Sequence, residues 1–164
     1  MTLPKTILVP SDFGDASEAA LDTAVELAKS FGAEIVLLHT FEIPVVGFPD
    51  GAMVATSELT SRILEGAQAA LDGAVAKRKG RGVAIRPLLR QGDAWRTALA
   101  TAEEVGAGMI VMGTHGRRGL PRALIGSVAE KVVRTARVPV LTVHAPSADE
   151  PVDTGERTVR STAS

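Results

Sequence analysis

Two hydrophobic rhythms alternate along this chain: short continuous apolar runs, and longer stretches in which apolar residues recur every three or four positions. The short runs are Thr6-Ile7-Leu8-Val9, residues 34–40, residues 83–89, residues 109–112 and residues 138–143. Their apolarity is largely continuous and β-branched, the signature of strands covered on both faces. Between them, Ala20, Ala24, Leu27, Ala28 and Phe31 share one face of a helix predicted to start near Asp15. Glu18 stands three residues on as a capping partner, and Gly32 can supply a left-handed stop. Residues 57–79 predict a long helix with Leu59, Ile63, Leu64, Ala67, Leu71 and Ala74 facing inward. Trp95, Leu99, Ala102 and Val105 mark a third helix, and residues 128–133 a fourth. Trp95 is expected to pack between helix and sheet rather than to serve a ligand.

Strands and helices alternating through short links predict an α/β fold, a doubly wound five-stranded parallel sheet with helices on both faces and right-handed crossovers. Pro87 cannot donate to a ladder, so its strand belongs at the sheet edge. One connection is long. Residues 41–56 hold Pro44, Gly47, Pro49 and Gly51, beside Val45, Val46, Phe48 and Met53, and suit a ligand cover, a subunit contact or a loop ordered on the core. Past Ala145 the composition turns polar and Pro-rich with only two valines. A single domain over residues 1–145 and a disordered tail over residues 146–164 are therefore expected.

Composition narrows the function. With 164 residues the chain is most simply one domain. The absence of cysteine excludes disulfides, thiolate metal sites and cysteine nucleophiles. A formal net charge of −1 and 3% aromatic residues argue against a nucleic-acid partner. No apolar stretch approaches the length of a membrane span, and the opening residues run straight into a strand without signal-peptide features, so a cytoplasmic location is expected. Lys77, Arg78, Lys79 and Arg81 read as solvated cations complementing a helix C-terminus. His39 and His144 would end strands too far apart to share a metal.

The chemistry concentrates between Gly113 and Ser127, a glycine-rich loop joining a strand to a helix N-terminus. Glycines allow close backbone approach, and unpaired first-turn N–H groups attract anions. One charge at a helix N-terminus contributes about 0.3–1 kcal/mol when exposed, whereas micromolar binding requires about 8 kcal/mol. Several backbone donors, a buried base and a cation must act together, and Arg117 and Arg118 offer cations. An alternative stays open, because Ser127 and Glu130 also match the capping box of an ordinary helix. No Walker lysine and no G-x-G-x-x-G after a strand is present. Asp12 lies just past the first strand, where open sheets bind ligands, or serves as a turn residue. His115 can reach a ligand or brace its own loop. A hydrolytic triad of Ser11, Asp12 and His115 lacks the G-x-S-x-G elbow.

Gly113, Gly116 and the Gly126-Ser127 pair follow the spacing G-2x-G-9x-G-(S/T), which resembles the nucleotide-binding branch of the universal stress protein family. Val9-Pro10-Ser11-Asp12 and Val138-Pro139-Val140-Leu141 are similar to that family's opening and closing strands, and the resemblance spans roughly residues 3–145. It implies strand order 3-2-1-4-5 and ATP as ligand, with magnesium able to accompany the triphosphate. By that resemblance Pro10, Ser11, Asp12 and the backbone at Thr40 lie on the adenine side, with Thr40 standing where valine is often found. Met112, Gly113 and His115 would follow ribose and the first phosphates, and Gly116, Arg117, Gly126, Ser127 and Val128 the phosphate chain. Gly108 stands where the family commonly has aspartate, a change expected to affect a turn. The resemblance also implies a homodimer through strand 138–144 and a stress-response or signalling role with at most weak ATPase activity, since no clear general base is present. A nucleotide-independent partner-binding protein of the same fold is the competing reading.

Overall fold

The computed structural model describes residues 3–43, 57–114 and 126–145. Nine elements follow in strict alternation among these residues: β1 (Thr6–Pro10), α1 (Asp15–Phe31), β2 (Glu34–Phe41), α2 (Ser57–Ala76), β3 (Ile85–Gln91), α3 (Ala94–Glu104), β4 (Met109–Gly113), α4 (Ser127–Thr135) and β5 (Val140–Val143). The sheet is parallel throughout, in the order β3-β2-β1-β4-β5. Pro87 does lie on an edge strand, in register with Leu37.

Side-chain alternation along the central strands divides the core into two layers. Ile7, Val9, Ile35, Leu37 and Val111 face α1 and α2, meeting Leu21, Val25 and Leu71. Leu8, Val36, Leu38, Ile110 and Met112 face α3 and α4, meeting Ala98, Ala102, Ala129 and Val132. Small residues on the helices let them sit close to the sheet. Trp95 packs half-buried against the second layer, with Arg96 and Lys131 at 5.2 and 5.7 Å from its ring centroid. Gly32 ends α1 in the left-handed region at φ 63°.

Several boundaries differ from the sequence expectation. β3 begins at Ile85 and β5 at Val140, two residues later than the apolar runs suggest. Apolar character marks burial, whereas ladder pairing begins only where a neighbouring strand is within reach. α2 ends at Ala76; the Lys77 N–H still bonds back four residues to Gly73, but those of Arg78 and Lys79 bond back only three. Gly80 and Gly82, at φ 85° and 78°, then turn the chain away. Leu59 is exposed rather than inward.

Within the basic run after α2, Lys77, Lys79 and Arg81 are exposed as expected, but Arg78 is not a solvated cation. Arg78 is 4% exposed, donating Nε to Asp22 at 3.0 Å and Nη2 to Glu18 at 3.3 Å, with further bonds to the carbonyls of Ala74 and Glu18. Arg81 bridges Asp22 and Glu26, and Lys77 reaches Glu18. Glu18, Asp22 and Glu26 are four residues apart, so they form one acidic stripe on α1 that the cations grip. Lys29, followed by Arg81, holds the Glu26 carboxyl below its ordinary range.

Candidate functional site

β1 and β4 are neighbours, yet the chain leaves β1 for a helix on one face and β4 for a helix on the other. Ligands of open α/β sheets settle beyond the carboxyl ends of the strands at such a reversal. The β1–β4 register runs only through Ile7↔Met109 and Leu8↔Ile110, stopping two residues before β1 ends. On its other side β1 stays paired with β2 up to Pro10. The two central strands thus part at their carboxyl ends.

Asp12 builds one wall. Its Oδ1 accepts from the Gly14 N–H at 3.1 Å and forms a short hydrogen bond with the Ser17 hydroxyl, whose oxygen accepts from the Asp12 N–H at 3.3 Å. Ser11 Oγ accepts from the Phe13 N–H at 3.1 Å, so the Ser11 side chain serves the turn. These bonds hold Phe13 at φ 61°, a left-handed conformation uncommon for a bulky residue. The Phe13 ring rests 4.5 Å from that of His39, whose Nδ1 lies 2.8 Å from the Ser11 carbonyl. Gly14 occupies the N-cap of α1, one place before Asp15, so the expected Asp15–Glu18 cap does not form. The polar turn before the helix does that work instead.

Thr40 contributes through its main chain. Leu38 accepts the Ser11 N–H and so faces β1, while Phe41 accepts the Gly92 N–H and faces β3. Backbone groups alternate along a strand, hence the N–H and C=O of Thr40 point to the β1 side, past the end of β1 at Pro10.

On the opposite wall, Gly113 is covered by the first turn of α1. A Cβ there would fall 2.8 Å from the Ala16 carbonyl carbon and 2.9 Å from the Ser17 nitrogen. Its bareness is thus explained by helix packing. Met112 is buried in the second layer. Gly126, not Ser127, is the N-cap of α4, and Ser127 is its first helical residue, exposed at the rim. The alternative reading of Ser127 and Glu130 as a capping box is out of register by one, since Gly126 takes the N-cap. The Glu130 N–H bonds back to Gly126 at 2.9 Å, so the amides of Ser127, Val128 and Ala129 precede the first intrahelical bond among the described residues. Gly126 in turn donates its own N–H to the Thr114 carbonyl at 2.6 Å, placing α4's start beside the end of β4.

Pro10, Ser11, Asp12, Thr40, Met112, Gly113, Gly126, Ser127 and Val128 thus all lie toward one rim of the sheet. His115, Gly116, Arg117 and Arg118 lie outside the described residues, as do most of the 41–56 loop and the tail from residue 146. Sequence reasoning missed Ser17, His39, Phe13 and Thr114. Asp12-Phe13-Gly14 is an Asx-turn signal that pointed to part of this. Gly108 lies at the amino rim, its N–H donated to Thr6 at 3.0 Å and its Cα face against Pro4, away from the crevice. Among the described residues no group of three or more metal-ligating side chains occurs, and no helix is long and apolar enough to cross a membrane.

These features define an open, doubly wound α/β protein with its crevice at the strand-order reversal. The chain belongs to the universal stress protein family, whose profile matches residues 4–144. A universal stress protein of Methanocaldococcus jannaschii is 38% identical over 146 residues, covering 88% of this chain and 84% of the relative. A second from that organism is 26% identical over 152 residues, covering 85% and 94%. Its solved structure superposes with a TM-score of 0.73 over 89% of this chain and 99% of that one, at 24% identity. A universal stress protein solved in complex with cAMP is 25% identical, with a TM-score of 0.64 over 87% of this chain and 98% of that one.

Proposed function

We propose that the chain binds an adenine nucleotide, ATP foremost, in the crevice between the ends of β1 and β4, and acts as a nucleotide-dependent homodimer in stress response or signalling. The observation that carries this reading is the position of Gly126. With a glycine at the N-cap, the first-turn amides of α4 stand beside the end of β4 at the rim that also holds the Asp12 turn. Such amides suit phosphate, and the main chain of Thr40 and the Asp12 turn suit a base edge. The cAMP complex of a similar universal stress protein supports the same ligand class. His115, Gly116 and Arg117 join the phosphate side, and magnesium accompanies the triphosphate. Hydrolysis is slow at most, because the sequence offers no clear general base and Asp12 Oδ1 already accepts from Gly14 and bonds Ser17. The complete glycine spacing through Gly113, Gly116 and Gly126 argues against the competing partner-only reading.

Residues 1–145 act as the one domain, in the cytoplasm, and dimerise through strand 138–144. Among the described residues β5 pairs with β4 alone, and Leu141 on it is 37% exposed. An apolar edge of this kind gains by being covered. Calorimetry with ATP, ADP and AMP tests the site. Wild-type protein is expected to bind at micromolar affinity, and Gly126→Val to abolish the heat while leaving the fold intact by circular dichroism. Unchanged binding by the folded variant would reject the role of the α4 N-terminus.

A further inference from the structure

Thr114 is the residue on which the end of β4, the start of α4 and the end of β5 converge. It is 1% exposed. Its N–H donates to the Val143 carbonyl at 2.9 Å, and its carbonyl accepts from the Gly126 N–H at 2.6 Å. Its hydroxyl lies 2.8 Å from His144 Nδ1 and 3.4 Å from the Val143 carbonyl. A buried hydroxyl must be satisfied, and here the imidazole of the residue just after β5 does so. The β-branched side chain has few rotamers, so anchoring the hydroxyl restrains the Cα next to the carbonyl that holds Gly126.

We infer that Thr114, with His144 as its anchor, is a positioning residue for the phosphate half of the proposed nucleotide site, setting where the first-turn amides of α4 stand relative to the end of β4. This inference rests on the nucleotide reading above. The two halves have different nearest supports: the Asp12 turn bonds to Gly14 and to Ser17 of α1, whereas the Thr114 hydroxyl bonds to His144 just after β5. Loss of the hydroxyl should therefore weaken the grip on phosphate and spare the grip on the base.

The test compares ATP with adenosine by calorimetry on the full chain. Thr114→Val is near-isosteric and removes only the hydroxyl. It is expected to lower ATP affinity about fivefold, the scale one net hydrogen bond sustains, and to leave adenosine affinity unchanged; Thr114→Ser restores ATP binding. A general loss of stability would lower both affinities together, and that result, or no change in either, overturns the inference. Amide hydrogen exchange at Gly126 in the ligand-free protein provides a second readout. Exchange should quicken in Thr114→Val and match wild type in Thr114→Ser, and equal rates in all three proteins also overturn it. Wild-type protein that binds neither ligand would instead overturn the nucleotide reading itself, and this role of Thr114 with it.

Discussion

At the scale of single residues, the two walls of the crevice depend on one another. Gly113 is bare because the first turn of α1 presses on it, and that same turn carries Ser17, which holds Asp12. Gly113→Ala therefore forces backbone to move, and we expect a loss of about 1–3 kcal/mol, the cost of overpacking a close contact, measured by urea unfolding. A loss well under that range would mean that α1 can lift from β4 without strain. Gly113 was legible in the sequence as a glycine that mattered, but spacing showed only where a side chain is missing, not that the first turn of α1 requires the space. Asp12 was legible in position and ambiguous in role, and its bonds explain why. Its carboxylate shapes the turn, so any part it takes in recognition is played by a preorganised loop. Ser17 and Thr114 were invisible, since a small polar residue in a helix or at a strand end signals nothing until its partner is known.

Secondary-structure elements were legible wherever one period dominated. Every described strand and helix was found, because length and β-branched content separate the short apolar runs from the longer helical stripes. Ends were less legible, and both capping readings failed for a common reason. Ser127–Glu130 and Asp15–Glu18 match a local pattern, yet glycines one place earlier take the N-cap at both helices. Asp93, by contrast, does cap α3 through the Arg96 N–H. Arg78, in the basic run after α2, went astray because charge alone cannot show the acidic stripe of another helix. Arg78→Ala is expected to cost about 2 kcal/mol by chemical denaturation. That is less than the about 3–5 kcal/mol of a fully buried pair, since Glu18 and Asp22 retain 27% and 52% exposure. A neutral result would show that water replaces the guanidinium without loss.

For the molecule as a whole, strand order does most to create the site. A parallel sheet wound outward in both directions from β1 and β4 must leave a cleft where the windings diverge, and the register between those strands stops short of their ends. The resemblance to the universal stress protein family anticipated the order, and the pairing agrees with it. Two-layer burial was legible from the strands' continuous apolarity, whereas the parting of β1 and β4 was not, because pairing between distant segments leaves no mark in either one. The central claim is that this cleft grips an adenine nucleotide by base and phosphate at once. Titration of the isotope-labelled full chain with ATP, followed through its amide resonances, tests it most directly. Shifts are expected to group at Asp12, Thr40, Gly113 and Gly126 to Val128, with Gly108 at the far rim unmoved; silence at those residues, or shifts centred on the amino ends of the strands, would rule out a nucleotide in this cleft.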